Sequence, residues 1–283
     1  MPTQNPVDNA ELVAAVLVND IQLALEGQTG FLNTISSKSY AQLQKGRTYN
    51  VPKLGAFTAV NKVPGTALTP QTADSFVAPI VVDQNPSVVV VLDDVLAMQS
   101  DVADRDAFIA NAATSLRVYK ETSFCGLYTE AGSSVGSNAV ALTSAMILDL
   151  QLAFDEAKIP QEGRYLVLAP RQAQDIMKDA DFKAFNANRG PNDSFITGQI
   201  GMLYGFNIVK SAYVVNTGTA LAPELHGVAY WEGAIGLVDQ EMIRAKSAYS
   251  PTEGGEVYNI GELYGVGVIE ATGVIDVVTG IQA

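Results

Sequence analysis

Apolar and polar positions follow two different periods along this chain, and the change is sharpest between Pro86 and Phe124. Val88 to Val91 form a β-branched run that reads as a strand apolar enough to be buried on both faces. Beyond Asp93 and Asp94 the period becomes helical, with Val102, Ile109, Ala112, Leu116 and Tyr119 recurring at three-, four- and seven-residue steps. Ser100 and Asp101 are good N-caps. Asp101, Asp104 and Asp106 fall in the first turns and Arg117 and Lys120 in the last, which suits the helix dipole at both ends. The pattern predicts a spine helix over 101–123, about 35 Å long at about 1.5 Å per residue.

The rest of the chain is read around that spine. Residues 1–9 are polar and proline-containing, and are expected to form a mobile arm. From Asn9 or Ala10 to Glu26, Leu12, Val13, Val16, Leu17, Ile21 and Leu25 predict an amphipathic helix that Gly27 and Gly30 end. Arg47 to Leu54 and Ser75 to Val82 read as two strand-like arms, each interrupted by a proline, Pro52 and Pro79. Such a hairpin is expected to have no apolar face of its own, and so to need a partner surface.

After a Gly/Ser break at Ala131 to Gly136, a helix is predicted from Thr143, with Ile147, Leu150, Phe154 and Ala157 inward. Tyr165 to Ala169 is a short buried strand, and Pro170 opens another helix, its fixed φ suiting a first turn. Asn186 to Ser194 is a polar loop, followed by strands at Phe206–Val209 and Gly227–Trp231. Helices and strands alternate here, as in an α/β layer around a small sheet. At the end, Ile243 to Ala248 can pair with Tyr258 to Val268, and Gly265 to Val278 reads as two strands linked near Gly273. This distant segment is expected to complete the sheet begun by the Val88 run.

Composition narrows the function. Hydrophobic residues make up 48% of the 283 and charged residues only 17%, against roughly 25% in a typical soluble domain. Large neutral surfaces suit a protein covered by neighbours. The formal charge is −13, which speaks against nucleic-acid binding through the overall field. It is also segregated: residues 45–80 carry Lys45, Arg47, Lys53 and Lys62 against Asp74 alone, a net +3 that leaves −16 elsewhere. A basic segment on an acidic body can lie across another copy; chance charges on a solvated hairpin would look the same.

The catalytic patterns are missing. His226 is the only histidine and Cys125 the only cysteine, so neither a two-histidine metal site nor an intrachain disulfide is available, and Cys125 is read as a small core residue. There is no G-x-S-x-G elbow to accompany a triad on His226 and no phosphate-cradling G-x-x-x-x-G-K-[ST]. No signal peptide or membrane-spanning run is read at the N-terminus or elsewhere. No catalytic residue, cofactor or metal ligand is expected.

Several motifs, in order, resemble the major capsid proteins of tailed bacteriophages, whose fold is named after phage Hong Kong ninety-seven. Gly46-Arg47-Thr48-Tyr49-Asn50-Val51-Pro52 is similar to the opening of the family's extended loop, and Thr69-Pro70 to its tip. The Val/Leu run and Asp93-Asp94 lead into the long helix. Arg164–Phe182 and Ser194–Ser211 (SFITGQIGMLYGFNIVKS) resemble segments of the family's axial domain, and YGVGVIEATGVIDVV its closing strand pair.

The resemblance implies an α+β fold with an N-terminal arm at 1–44 and an extended loop at 45–82. A peripheral domain would take 83–140, completed by 245–283, and an axial domain 141–244. It further implies pentamers and hexamers of an icosahedral shell around double-stranded DNA, with scaffolding and portal proteins as partners, no membrane, and assembly in the bacterial cytoplasm. Arg47, Lys53 and Lys62 are the candidates for contacts between subunits. Two alternatives stand beside this: an encapsulin-like compartment, and a soluble α/β enzyme or ligand-binding domain.

Overall fold

The computed structural model describes residues 46–55, 57–62, 65, 67, 69–72, 75–93, 103–179, 201–219 and 222–280. The expected N-terminal helix, the caps Ser100 and Asp101, and the polar loop at 186–194 lie outside them. Among the described residues no helix is long and apolar enough to cross a membrane.

The hairpin arms are β1 (Thr48–Leu54) and β2 (Ser75–Val81), paired antiparallel from Thr48↔Val81 to Leu54↔Ser75. One correction concerns their packing. Val51, Ile80 and Val82 are buried against Val238, with Leu263 and Ile269 beside them, so the hairpin base has an apolar face and docks within its own chain. Toward the loop end the cover runs out: Phe57, Val60, Phe76 and Val77 are all more than half exposed.

The valine run forms β3 (Ser87–Asp93), which pairs with β11 (Gly255–Val268) in the register Val88↔Ile260 and Val91↔Val257. Strand β10 (Ile235–Ser250) completes this three-stranded sheet. The far C-terminal segment thus supplies the partner strands, although β10 begins eight residues before Ile243. The run is not buried on both faces: Val89 and Val91 are 58% and 41% exposed. A helix covers the face that carries Val88, and alternation turns Val89 and Val91 to the other face.

That helix is α1 (Ala103–Cys125), 23 residues. Its inward row is Ala112, Leu116, Lys120 and Phe124, one residue every four, with Ala113 beside it. Tyr119, expected inward, is 47% exposed. Nor does α1 end on basic residues: its last turn has none, because it runs on to Cys125 and leaves Arg117 and Lys120 in earlier turns. Ala112, Ala113 and Leu116 pack on Tyr258 and Ile260 of β11. Phe124, Cys125 and Leu127 of the following 3-10 turn (Gly126–Glu130) enter a different core.

This second core belongs to a seven-stranded sheet ordered β4 (Ser133–Ser137), β12 (Val274–Thr279), β9 (Leu225–Trp231), β5 (Arg164–Leu168), β7 (Phe206–Lys210) and β6 (Met202–Leu203), with β8 (Val215–Asn216) also on β9. The last strand of the chain therefore joins this sheet, antiparallel to β9 and parallel to β4, and not β3. Alternation decides which residues face which way. Val167, Val228, Tyr230 and Val274 meet the end of α1. Leu166, Leu168, Ala229 and Ile275 meet Ile147, Leu150 and Phe154 of α2 (Ser144–Glu156) and Ile176 of α3 (Pro170–Lys178).

Local chemistry sets these helix ends. Thr143 Oγ1 accepts the Met146 amide, and Asp179 Oδ2 accepts the Ser144 amide at 2.7 Å. Pro170 stands at the start of α3. The fully buried Gln172 closes that turn by accepting the Ala169 amide and donates to Thr279 on β12. Ala157, expected inward, instead follows the end of α2 and is exposed.

Candidate functional site

The sequence pointed to Arg47, Lys53 and Lys62, and the fold separates them. Arg47, at the foot of β1, and Lys62, in the tip, are both exposed. Lys53 is engaged within its own chain: its Nζ donates to the Ile269 carbonyl at 2.8 Å and to the Glu270 carboxylate. That hydrogen bond holds the Glu270 carboxyl below the usual glutamate range. Lys53, opposite Phe76 near the loop end of the ladder, is thus a second anchor of the hairpin, half-buried against the Ile269–Glu270 segment that it binds.

Two close approaches fix the base, at the opposite end of the ladder. A Cβ on Gly265 would lie 2.4 Å from the Val81 carbonyl oxygen, so this position of β11 admits the hairpin only as glycine. Ile80 then lies over Gly267, within 3.6 Å of where a Cβ would stand. At the far end the tip closes on itself. Gln71 Oε1 accepts the Thr58 amide at 2.9 Å while its Nε2 donates to the Thr58 carbonyl, a side-chain copy of a β-ladder pair. Phe57, Val60, Thr69 and Pro70 line the groove beside it, about 590 Å³. The hairpin strands are therefore anchored at both ends, and beyond them Thr58 and Gln71 are tied to each other beside exposed apolar groups.

Beneath α1 lies a buried polar cluster that periodicity did not reveal. Lys120 Nζ donates to Asp239 Oδ1 at 3.2 Å and to Glu262 Oε2 at 3.0 Å, and stands 4.7 Å from the centre of the Tyr264 ring. Tyr264 donates its hydroxyl to Ser123 Oγ on the same helix. Burial alone would lower the Lys120 ammonium, but Glu262 and Asp239 outweigh it and push it above the usual lysine range. Burial pushes the Glu262 carboxyl up; Lys120 offsets part of this and Asp239 adds to it. Two carboxylates facing one ammonium leave an excess negative charge. The available signal was the four-residue row through Ala112, Leu116 and Phe124, on which only position 120 is polar.

Cys125 is fully buried, its thiol pushed up to about 12 chiefly by burial, which makes it unreactive. His226 is on β9, buried, between Asp276 and Thr217. The Thr217 hydroxyl is already donated to Glu224, so this geometry offers no free nucleophile. What the described residues present instead is a pair of sheets packed on α1, with a hairpin anchored to them.

The comparisons agree with such an object. A family model described as phage capsid protein matches residues 101–277. Among curated proteins none matches significantly. A solved structure from Mycobacterium phage Che8 superposes with a TM-score of 0.71 at 20% identity, covering 88% of this chain and 91% of its own. The capsid asymmetric unit of cyanophage Pam1 gives 0.66 at 14% identity, covering 91% and 93%. A virus-like particle from Pyrococcus furiosus gives 0.59 at 9% identity, covering 94% and 99%.

Proposed function

This chain belongs to the phage capsid protein family, and from that premise we propose how its copies are joined. It is a major capsid protein with the α+β fold named after phage Hong Kong ninety-seven, and it self-assembles into the icosahedral shell of the virion. The role is structural, not enzymatic. The encapsulin-like alternative is not favoured, because the matching family model is that of phage capsid proteins.

In our reading the hairpin of one copy lies across the acidic body of the next. Arg47 and Lys62 meet carboxylates of the neighbour, and Phe57, Val60, Phe76 and Val77 lose their solvent there. The observation that carries this is the hairpin itself: its paired strands are fastened to its own chain, its described tip residues are exposed, and it holds the basic excess of an otherwise acidic protein. Lys53 serves the loop from within by fixing its angle.

We assign 1–44 to an N-terminal arm, 45–82 to the extended loop, 83–140 with 245–283 to a peripheral domain and 141–244 to an axial domain. The shell is that of a tailed phage, built of pentamers and hexamers around double-stranded DNA. Scaffolding and portal proteins assist assembly in the host cytoplasm.

Electron microscopy and sedimentation of the purified protein test the reading. Shells are expected from the wild type, and smaller oligomers from a Lys62→Glu, Arg47→Glu double variant whose subunit remains folded. A wild-type protein that stays monomeric under all assembly conditions overturns it, and shells unaffected by the double variant overturn the loop assignment.

A further inference from the structure

We propose that His226 is a proton-operated latch on the turn joining β8 to β9. It is the only histidine of the chain and is 8% exposed. Nδ1 lies 2.9 Å from Asp276 Oδ2 on β12, and Nε2 lies 2.9 Å from Thr217 Oγ1 just after β8. Thr217 Oγ1 is in turn 3.0 Å from Glu224 Oε2, just before β9. Tyr128, from the 3-10 turn after α1, stacks on the imidazole with ring centres 4.1 Å apart. The charged and titratable groups facing His226 are thus Asp276, Glu224 by way of Thr217, and Tyr128.

Counting donors shows why one proton matters. A threonine hydroxyl has a single hydrogen to give, and an ionised carboxylate only accepts. If Thr217 donates to Glu224, Nε2 must donate to Thr217. If Asp276 accepts from Nδ1, both ring nitrogens carry hydrogen and the ring is an imidazolium. All three contacts are satisfied together only in that state, or with the same proton shared with Asp276. Asp276 is poorly supplied otherwise, since its Oδ1 is buried with no hydrogen-bond partner among the described residues.

Removing the proton leaves Nε2 as an acceptor. The Thr217 hydroxyl then turns to the ring, and Glu224 loses its donor. Asn216 Oδ1 still holds the Gly218 and Glu224 amides at 3.0 Å each, so the turn loosens by one tie and does not dissolve. Gaining the proton closes the latch and losing it opens it.

The single histidine makes the test direct. In assembled shells carrying isotope-labelled histidine, solid-state nitrogen spectra are expected to show both ring nitrogens protonated at pH 5.5, and Nε2 alone deprotonated at pH 8.5. Amide exchange of the peptide spanning 216–226, corrected for intrinsic rates, is expected to rise on the order of fivefold over the same interval, the loss of one hydrogen bond. Glu224→Gln, whose amide can donate to Thr217 whichever way the hydroxyl points, should remove that dependence. A ring that keeps one protonation state throughout, or exchange that follows intrinsic rates alone, overturns the proposal. So does a Glu224→Gln protein that keeps the wild-type pH dependence. The ring spectrum needs only wild-type protein.

Discussion

Lys120 and Glu262, 142 positions apart in sequence, meet at 3.0 Å beneath the long helix and tie α1 to β11. Asp239 of β10 is the third member, so the contact carries two carboxylates and one ammonium. Removing the cation leaves both acids buried and unpaired. Lys120→Met is expected to cost on the order of 3–5 kcal/mol in denaturant unfolding. A loss below about 1 kcal/mol would mean that water already solvates the acids.

Glu262→Gln should behave differently, and with a definite pH dependence. The folded protein raises the Glu262 carboxyl, so its protonated form is favoured at low pH and that advantage is lost as pH rises through the raised value. The stability of the variant relative to wild type should therefore increase from pH 4 to pH 8, measured by urea midpoints at each pH. A flat or falling difference would refute the raised carboxyl.

The Lys53–Glu270 pair runs the other way. Glu270 is lowered, so its contribution is present above the ordinary glutamate value of 4.5 and is lost as pH falls below it. Amide exchange in β1 and β2, corrected for intrinsic rates, should quicken below about pH 4.5 in wild type. In Lys53→Met it should be quick already at neutral pH.

Gly265→Ala places a methyl group 2.4 Å from the Val81 carbonyl oxygen. Backbone must shift to admit it, and the hairpin base is the part that can. The variant should fold with its seven-stranded sheet intact, lose protection along β2, and assemble poorly. Normal shells from this protein would show that the angle of the loop does not matter.

Arg164 is 1% exposed and gives Nε to the Pro160 carbonyl and Nη2 to the Ile159 carbonyl and Asp155. Lysine cannot supply this planar fork. Arg164→Lys is expected to cost about 2–3 kcal/mol in thermal or urea unfolding, as the Ile159 and Pro160 carbonyls lose charged donors from a buried side chain.

Local signals in the sequence carried local structure well. Hairpin arms, the start of α2 at Thr143, the proline that opens α3 and the strand before it all follow from alternation, caps and fixed φ, which involve neighbours in sequence. What stayed hidden depends on distant partners. Tyr119 has the greater hydrophobicity, yet Lys120 turns inward because Asp239 and Glu262 are waiting in strands more than a hundred residues on. The hairpin base found its apolar cover in Val238, Leu263 and Ile269 for the same reason. Arg47 and Lys62 were legible as exposed basic residues, whereas the inward duty of Lys53 requires Glu270 at its side. The His226 cluster left no trace in the pattern, since its members are scattered from Tyr128 to Asp276.

The Gln71 amide that closes on Thr58 bears on how fast and how tightly a loop tip can be received. Ordering a free segment at the moment of contact subtracts from affinity for every side chain and backbone torsion that must stop moving. A tip already held by its own glutamine has met part of that entropy cost before any encounter. Docking of the part that Thr58 and Gln71 hold then costs less, and a weak apolar patch repeated at every junction of a shell can suffice.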